Sequence, residues 1–188
     1  DKKTSDLYFN MSAVFNTLKN LPKADEYIDK AIAIAEKYGN KVVIAFYTQQ
    51  KADNYAENGE IEKALRTRLK YLPELENSEV AKTHIQGYYQ NISQEYFELG
   101  KIDSSKFYAL KSLETSSMIN IPDGIAGAKW QLGRIAMYEK RFADAGKYFS
   151  ESRDYLLGSE DPTDRRSYFE VMHEFYFATG DYRKAYEN

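Results

Sequence analysis

The chain has 188 residues, 43% of them hydrophobic and 15% aromatic, with a formal net charge of −3 at pH 7 and no cysteine. That length and apolar share allow one folded domain or one short repeat array. The lack of cysteine excludes disulfides, thiolate nucleophiles and cysteine-based zinc sites, and the mild acidity offers no basic field to hold a nucleic-acid backbone by counterion release.

Apolar residues recur at helical spacing over about 5–18, and Asn20-Leu21-Pro22 then opens a second helix over 23–37. Proline is tolerated in a first turn because its missing N–H has no helical partner there. Gly39-Asn40 breaks the pattern, and Val43, Ala45, Ala52 and Tyr55 mark a third helix over 41–57 that ends at Asn58-Gly59. The spacing predicts further helices over 61–75, 79–98, 103–119, 124–139, 142–157, 162–178 and 182–188. The breakers between them are residues 73–78, Gly100, Ile121-Pro122-Asp123-Gly124, Lys140-Arg141, residues 158–162 and Gly180. No strand signal appears, and no apolar run nears the roughly 18–20 residues needed to cross a bilayer. The opening Asp1-Lys2-Lys3 and a last helix that stops at Asn188 suggest a piece of a longer protein.

One pattern returns five times at intervals of 40 or 41 residues: Phe15, Tyr55, Tyr96, Ala136 and Tyr176; then Leu21, Ile61, Ile102, Phe142 and Tyr182; then Ala24, Ala64, Ser105, Ala145 and Ala185. A repeat of that size cannot bury its apolar face alone and is stabilised by stacking on its neighbours. Ser12, Ala52, Ser93 and Gly133 share a phase of the first helix, facing the small residue of the second, where close helix approach leaves no room for a large side chain. The expected class is all-α: a right-handed superhelical solenoid of about five helix-turn-helix units, over about 5–40, 41–78, 79–121, 122–160 and an incomplete 161–188, forming a single array over 1–188.

The order small residue, aromatic, glycine, apolar, alanine in Ala52, Tyr55, Gly59, Ile61 and Ala64, and again in Ser93, Tyr96, Gly100, Ile102 and Ser105, resembles the tetratricopeptide repeat. The period here is about 40 rather than that family's 34, so longer helices are expected. His173 takes the small phase of the last unit and Ala136 the aromatic phase of the fourth, so packing is expected to differ locally there.

Nothing in the chain has the look of catalytic machinery. His84 and His173 stand about two repeats apart with no second ligand a helical turn away, and the phosphate-loop and dinucleotide patterns are absent. The reading is therefore a non-enzymatic protein with no metal and no cofactor. The basic cluster Lys63, Arg66, Arg68 and Lys70 reads as a solvated outer face.

A row of amides is left over. Asn10, Gln50, Asn91 and Gln131 recur at intervals of 40, 41 and 40, two residues before the small position of each first helix. A carboxamide donates and accepts, so it pairs with a peptide backbone whatever the side chains are. With first helices ~10 Å apart, one amide would meet an extended chain every three residues or so. Near the row by phase lie Phe9, Asn16, Gln49, Asp53, Gln90, Gln94, Trp130, Arg134, Tyr138, Glu170 and Glu174. The amides either bind a partner, or bond across repeats or simply face water; Trp130 is either an anchor or inter-repeat packing.

The family resemblance implies that the first helices line a concave groove where such amides contact an extended peptide. It implies a role as the sensing or interaction region of a bacterial signalling or transcriptional regulator. The chaperone-binding branch of the family grips a carboxylate with several basic residues, and with Arg134 nearly alone that function is not expected. The alternative is a structural one, a scaffold or homodimer through an exposed terminal repeat. The compartment, cytoplasmic or periplasmic, stays open.

Overall fold

The computed structural model describes residues 2–160 and 162–187. Among them it holds helices α1 (Lys2–Thr17), α2 (Leu21–Tyr38), α3 (Lys41–Glu57), α4 (Ile61–Glu76), α5 (Ile85–Glu98), α6 (Ile102–Met118), α7 (Pro122–Tyr138), α8 (Phe142–Gly158), α9 (Pro162–Ala178) and α10 (Tyr182–Glu187), and no strand. The longer period is spent in the helices: α2 has 18 residues and α3, α6, α7 and α8 have 17 each. The expected helix over 79–98 begins later. Residues Ala81–Thr83 form a 3-10 turn, and His84 sits at φ −124°, ψ −12° before α5 starts. Asn77, Ser78, Thr83 and His84 are weak helix formers, so the α-helix starts only after them.

The chain divides into two compact units, Asp1–Gly100 and Lys101–Asn188. In the first, each helix packs on the next from α1 to α5, and α1 also touches α3. One cluster of its core is Ile28, Ala31, Ala35, Ile44 and Tyr47, with Tyr8, Phe9, Val43 and Tyr71 packed against it. In the second, α6 to α10 pack in the same consecutive way around Trp130, Ala136, Ala145, Phe149, Leu156, Tyr168 and Met172.

Small residues set the helix approach within a pair. Ser12, Ala24, Ala52, Ala64, Ser93, Ser105 and Ala145 are completely buried. Ser12 Oγ donates to the Ala24 carbonyl at 2.8 Å, tying α1 to α2. His173 repeats that contact at the same phase: its Nδ1 lies 2.7 Å from the Ala185 carbonyl, which makes Nδ1 the protonated nitrogen. The histidine thus replaces a serine without losing the bond.

The turn inside each pair is also conserved in geometry more than in sequence. Gly59, Gly100 and Gly180 take positive φ, and Lys19 and Lys140 take it too, at 55° and 60°. These five positions share one phase. The residue after the turn bonds back to the aromatic position: Asn20 N–H to Phe15, Glu60 to Tyr55, Arg141 to Ala136 and Asp181 to Tyr176, all at 2.8–2.9 Å. With the accompanying bonds of Lys19 to Asn16 and Gly59 to Ala56, these are Schellman caps that satisfy the last carbonyls of the first helix.

Candidate functional site

Arg68 is the centre of a buried polar cluster of the first unit. It lies on α4, yet its side chain passes between two first helices: Nη2 donates to Asp53 Oδ1 of α3 at 2.6 Å and Nε donates to Glu95 Oε1 of α5 at 2.7 Å. Arg68 is 2% exposed and Glu95 3%. This corrects the expectation of a solvated outer face at Arg68, while Lys63, Arg66 and Lys70 are exposed as expected. Phase explains the difference. Arg68 stands four residues after Ala64, and the equivalent positions Ile28, Ala109 and Phe149 are buried. The arginine occupies a core position of the repeat and can do so because two carboxylates meet it there.

Burial shapes the ionisation of all three groups. It pushes Glu95 up to about 7, against the pull of Arg68. It raises Asp53 in the same way, again opposed by Arg68. For Arg68 burial works against the charge, but the attraction and hydrogen bonds of Asp53 and Glu95 outweigh it and the net shift is upward. Tyr88 hydroxyl donates to the Arg68 carbonyl at 3.0 Å, and burial moves its phenol upward.

A cleft of about 410 Å³ opens beside this cluster, lined by Asn16 of α1, Gln50, Asp53, Ala56 and Glu57 of α3, Arg68 of α4, and Asn91, Gln94, Glu95 and Glu98 of α5. A second cleft of about 280 Å³, lined by Phe9, Phe46, Gln49, Gln50, Asp53 and His84, shares Gln50 and Asp53 with it. Three lining atoms are buried without a hydrogen-bond partner: Arg68 Nη1, Glu95 Oε2 and Asn16 Oδ1. Such atoms each cost on the order of 1–3 kcal/mol unless something pairs with them. The first helices thus present donors and acceptors toward one space.

The expected residues divide clearly. Gln50 and Asn91 of the amide row come together in the larger cleft, with Asp53 and Gln94 beside them. Gln50 Nε2 also reaches Asn54 Oδ1 at 3.4 Å, and Gln94 Nε2 donates to Glu98 Oε1 at 2.6 Å. Asn10 is exposed on α1 and Gln90 half-buried on α5, and neither lines these clefts.

In the second unit the picture differs. Gln131 is 3% exposed, donating to Ser105 Oγ at 3.3 Å and accepting from Arg134 Nη1 at 3.2 Å. Trp130, 8% exposed, packs between Phe149 and Tyr168 with centroids 4.9 and 5.8 Å away. Tyr138 is exposed. Trp130 and Gln131 therefore serve the core of their unit.

Sequence reasoning did not single out Arg68, Glu57, Glu95 or Glu98 for this site. The signal was present for two of them. Glu95 shares a phase with Asn54 and Ile135, both completely buried. A charged residue at two adjacent core phases, one basic and one acidic, marks a buried pair.

Among the described residues no helix is long and apolar enough to cross a membrane, and no group of three or more His, Cys, Asp or Glu is arranged to hold a metal ion. The model of the tetratricopeptide repeat matches residues 5–38 and 87–117. Those two stretches carry the repeat. No curated protein matches it in sequence. Among solved structures, the Rap conjugation gene regulator of the plasmid pLS20 in complex with the Phr* peptide is similar at TM-score 0.79 and 15% identity, over 96% of this chain and 50% of that one. The apo form of RapI is similar at TM-score 0.77 and 20% identity, over 93% and 48%. The STAND protein with a tetratricopeptide repeat sensor from Pyrococcus horikoshii is similar at 0.76 and 18%, over 95% and 27%. The likeness is one of fold, and this chain spans about half the length of the two Rap structures.

Proposed function

We propose that this chain binds an extended peptide or protein segment along the first helices of unit 1, as the interaction or sensing region of a bacterial signalling or transcriptional regulator. The observation that carries the reading is the larger cleft itself. It gathers amide groups from α3 and α5 around two charged side chains that are almost wholly buried yet keep an unpaired donor and an unpaired acceptor. Its volume of about 410 Å³ falls in the range of ligand pockets. Gln50 and Asn91 stand one repeat apart, so they would meet an extended chain at residues about three apart. The chemistry on offer is hydrogen bonding and charge, which suits binding rather than catalysis. The regulator role draws on the Rap structure, whose described complex is with a peptide, and on the sensor description of the STAND protein.

The test is an array of nonapeptides probed with wild type and with a Gln50→Ala, Asn91→Ala double variant. Retention of peptides by the wild type and their loss from the variant supports the reading; equal retention by both removes the amides from it.

A further inference from the structure

Five ionisable side chains line the larger cleft, and a single one, Arg68, is a cation. Asp53, Glu57, Glu95 and Glu98 stand against it. When all four acids are ionised the surplus is three negative charges. Lys19 reaches Glu57 at 3.1 Å, but it is 75% exposed and bonds from the rim, where water screens it. The acids are also graded in depth: Glu57 and Glu98 are exposed at the mouth, and Glu95 is buried.

Glu95 points the same way on separate grounds. One of its oxygens accepts from Arg68, and the other, Oε2, is buried in the same cleft with no partner. An orphan carboxylate oxygen at 3% exposure calls for a donor from outside the protein, and a charged donor is the stronger kind. The carboxylates are not grouped for a metal ion. An organic cation suits the arrangement better.

We infer that the cleft between α1, α3 and α5 is a subsite for a basic side chain, arginine foremost, of the peptide held by unit 1. The inference rests on the peptide-binding reading above. A guanidinium is planar and carries five N–H donors in a fixed fork, so it meets a carboxylate through two parallel bonds and keeps donors for a second one. Glu57 and Glu98 at the mouth draw the cation in, Glu95 Oε2 receives it at depth, and the unpaired Arg68 Nη1 is left for a carbonyl oxygen of the same peptide. The charge pattern is the reverse of a basic groove that grips a carboxylate.

The test uses acetylated, amidated nonapeptide pools, degenerate except at one position, which is fixed as Arg, Lys, norleucine or Glu and scanned through all nine places. Binding to the full chain is measured for wild type, for Gln50→Ala, Asn91→Ala, and for Glu57→Gln, Glu98→Gln, whose exposed sites leave folding intact. At one position the Arg pool should bind at least tenfold more tightly than the norleucine pool. That advantage, taken as the ratio of Arg to norleucine binding by the same protein, should fall to threefold or less in the Glu57, Glu98 variant. Pools that bind through Gln50 and Asn91 with no gain from Arg, or with a gain from Glu, overturn the basic subsite and leave peptide binding standing. Failure of every pool to bind the wild type overturns both.

Discussion

Arg68 Nε donates to Glu95 Oε1 at 2.7 Å, and the two residues, on consecutive helices, are 2% and 3% exposed. A buried ion pair of this kind adds little net stability against a well-packed apolar replacement, because desolvation offsets attraction. Removing one partner is another matter. Arg68→Met should cost about 3–5 kcal/mol at pH 8, where Glu95 loses its buried cation and must either stay charged and unpaired or take up a proton. The loss should be smaller at pH 5, where the carboxyl takes a proton. Urea unfolding at the two pH values checks this.

Glu95 also gives the chain a pH dependence of defined sign. Its carboxyl titrates at about 7 in the folded protein against an ordinary 4.5. The folded state therefore binds the proton more tightly, so this contribution to stability is full below pH 4.5 and is lost as pH rises through 7. Its size is on the order of 3 kcal/mol. Asp53, also raised by burial, acts in the same direction. Glu26, Glu74, Glu139, Glu151 and Asp181 are lowered by surface pairs and act oppositely, but exposed pairs contribute little. The stability of wild type relative to Glu95→Gln should fall between pH 5 and 8, and a flat difference would contradict the assignment.

Lys140 holds a left-handed turn that glycine holds in three other units. A non-glycine residue pays roughly 1–2 kcal/mol for that conformation, partly offset by the extra freedom glycine has when unfolded. Lys140→Gly should raise stability by about 0.5–1 kcal/mol, and Gly100→Ala, at φ 69°, should lower it by about 1 kcal/mol. Thermal melts of both variants decide.

Gly133 marks a close helix approach in the second unit. A Cβ built there would lie 2.5 Å from Phe149 Cε1 and 2.7 Å from Cδ1. Phe149 is 1% exposed and packed at a tilt against Trp130, so the ring has little room to move. Gly133→Ala should destabilise by about 1–3 kcal/mol, and a second change, Phe149→Leu, should return part of that loss. Additive losses in the double variant would show that the two sites do not compete for space.

The fold was largely legible because its determinants are local and repeated. Ala24, Ala64 and Ala145 announce close packing by size alone, and nine of the ten helices start within about three residues of where the spacing places them. The departures come from long-range compensation. Lys19 and Lys140 adopt a glycine conformation because the Schellman bonds around them hold the chain there, which no single-residue preference reveals. Arg68 reads as surface when residues are scored by type and as core when they are aligned by phase. Its partners lie 15 and 27 residues away on other helices. The amide row was visible as a period, but the period does not say which members face a cleft: Gln50 and Asn91 do, while Gln131 bonds to Ser105.

The central claim is that unit 1 receives a peptide between α3 and α5. The direct measurement is an NMR titration of isotopically labelled protein with the tightest-binding nonapeptide from the array. The account predicts shifts concentrated on the side-chain amides of Gln50, Asn91 and Gln94 and on the backbone around Asp53 and Glu95. Shifts confined to residues 101–188, or saturable binding that leaves Gln50 and Asn91 unmoved, would contradict it.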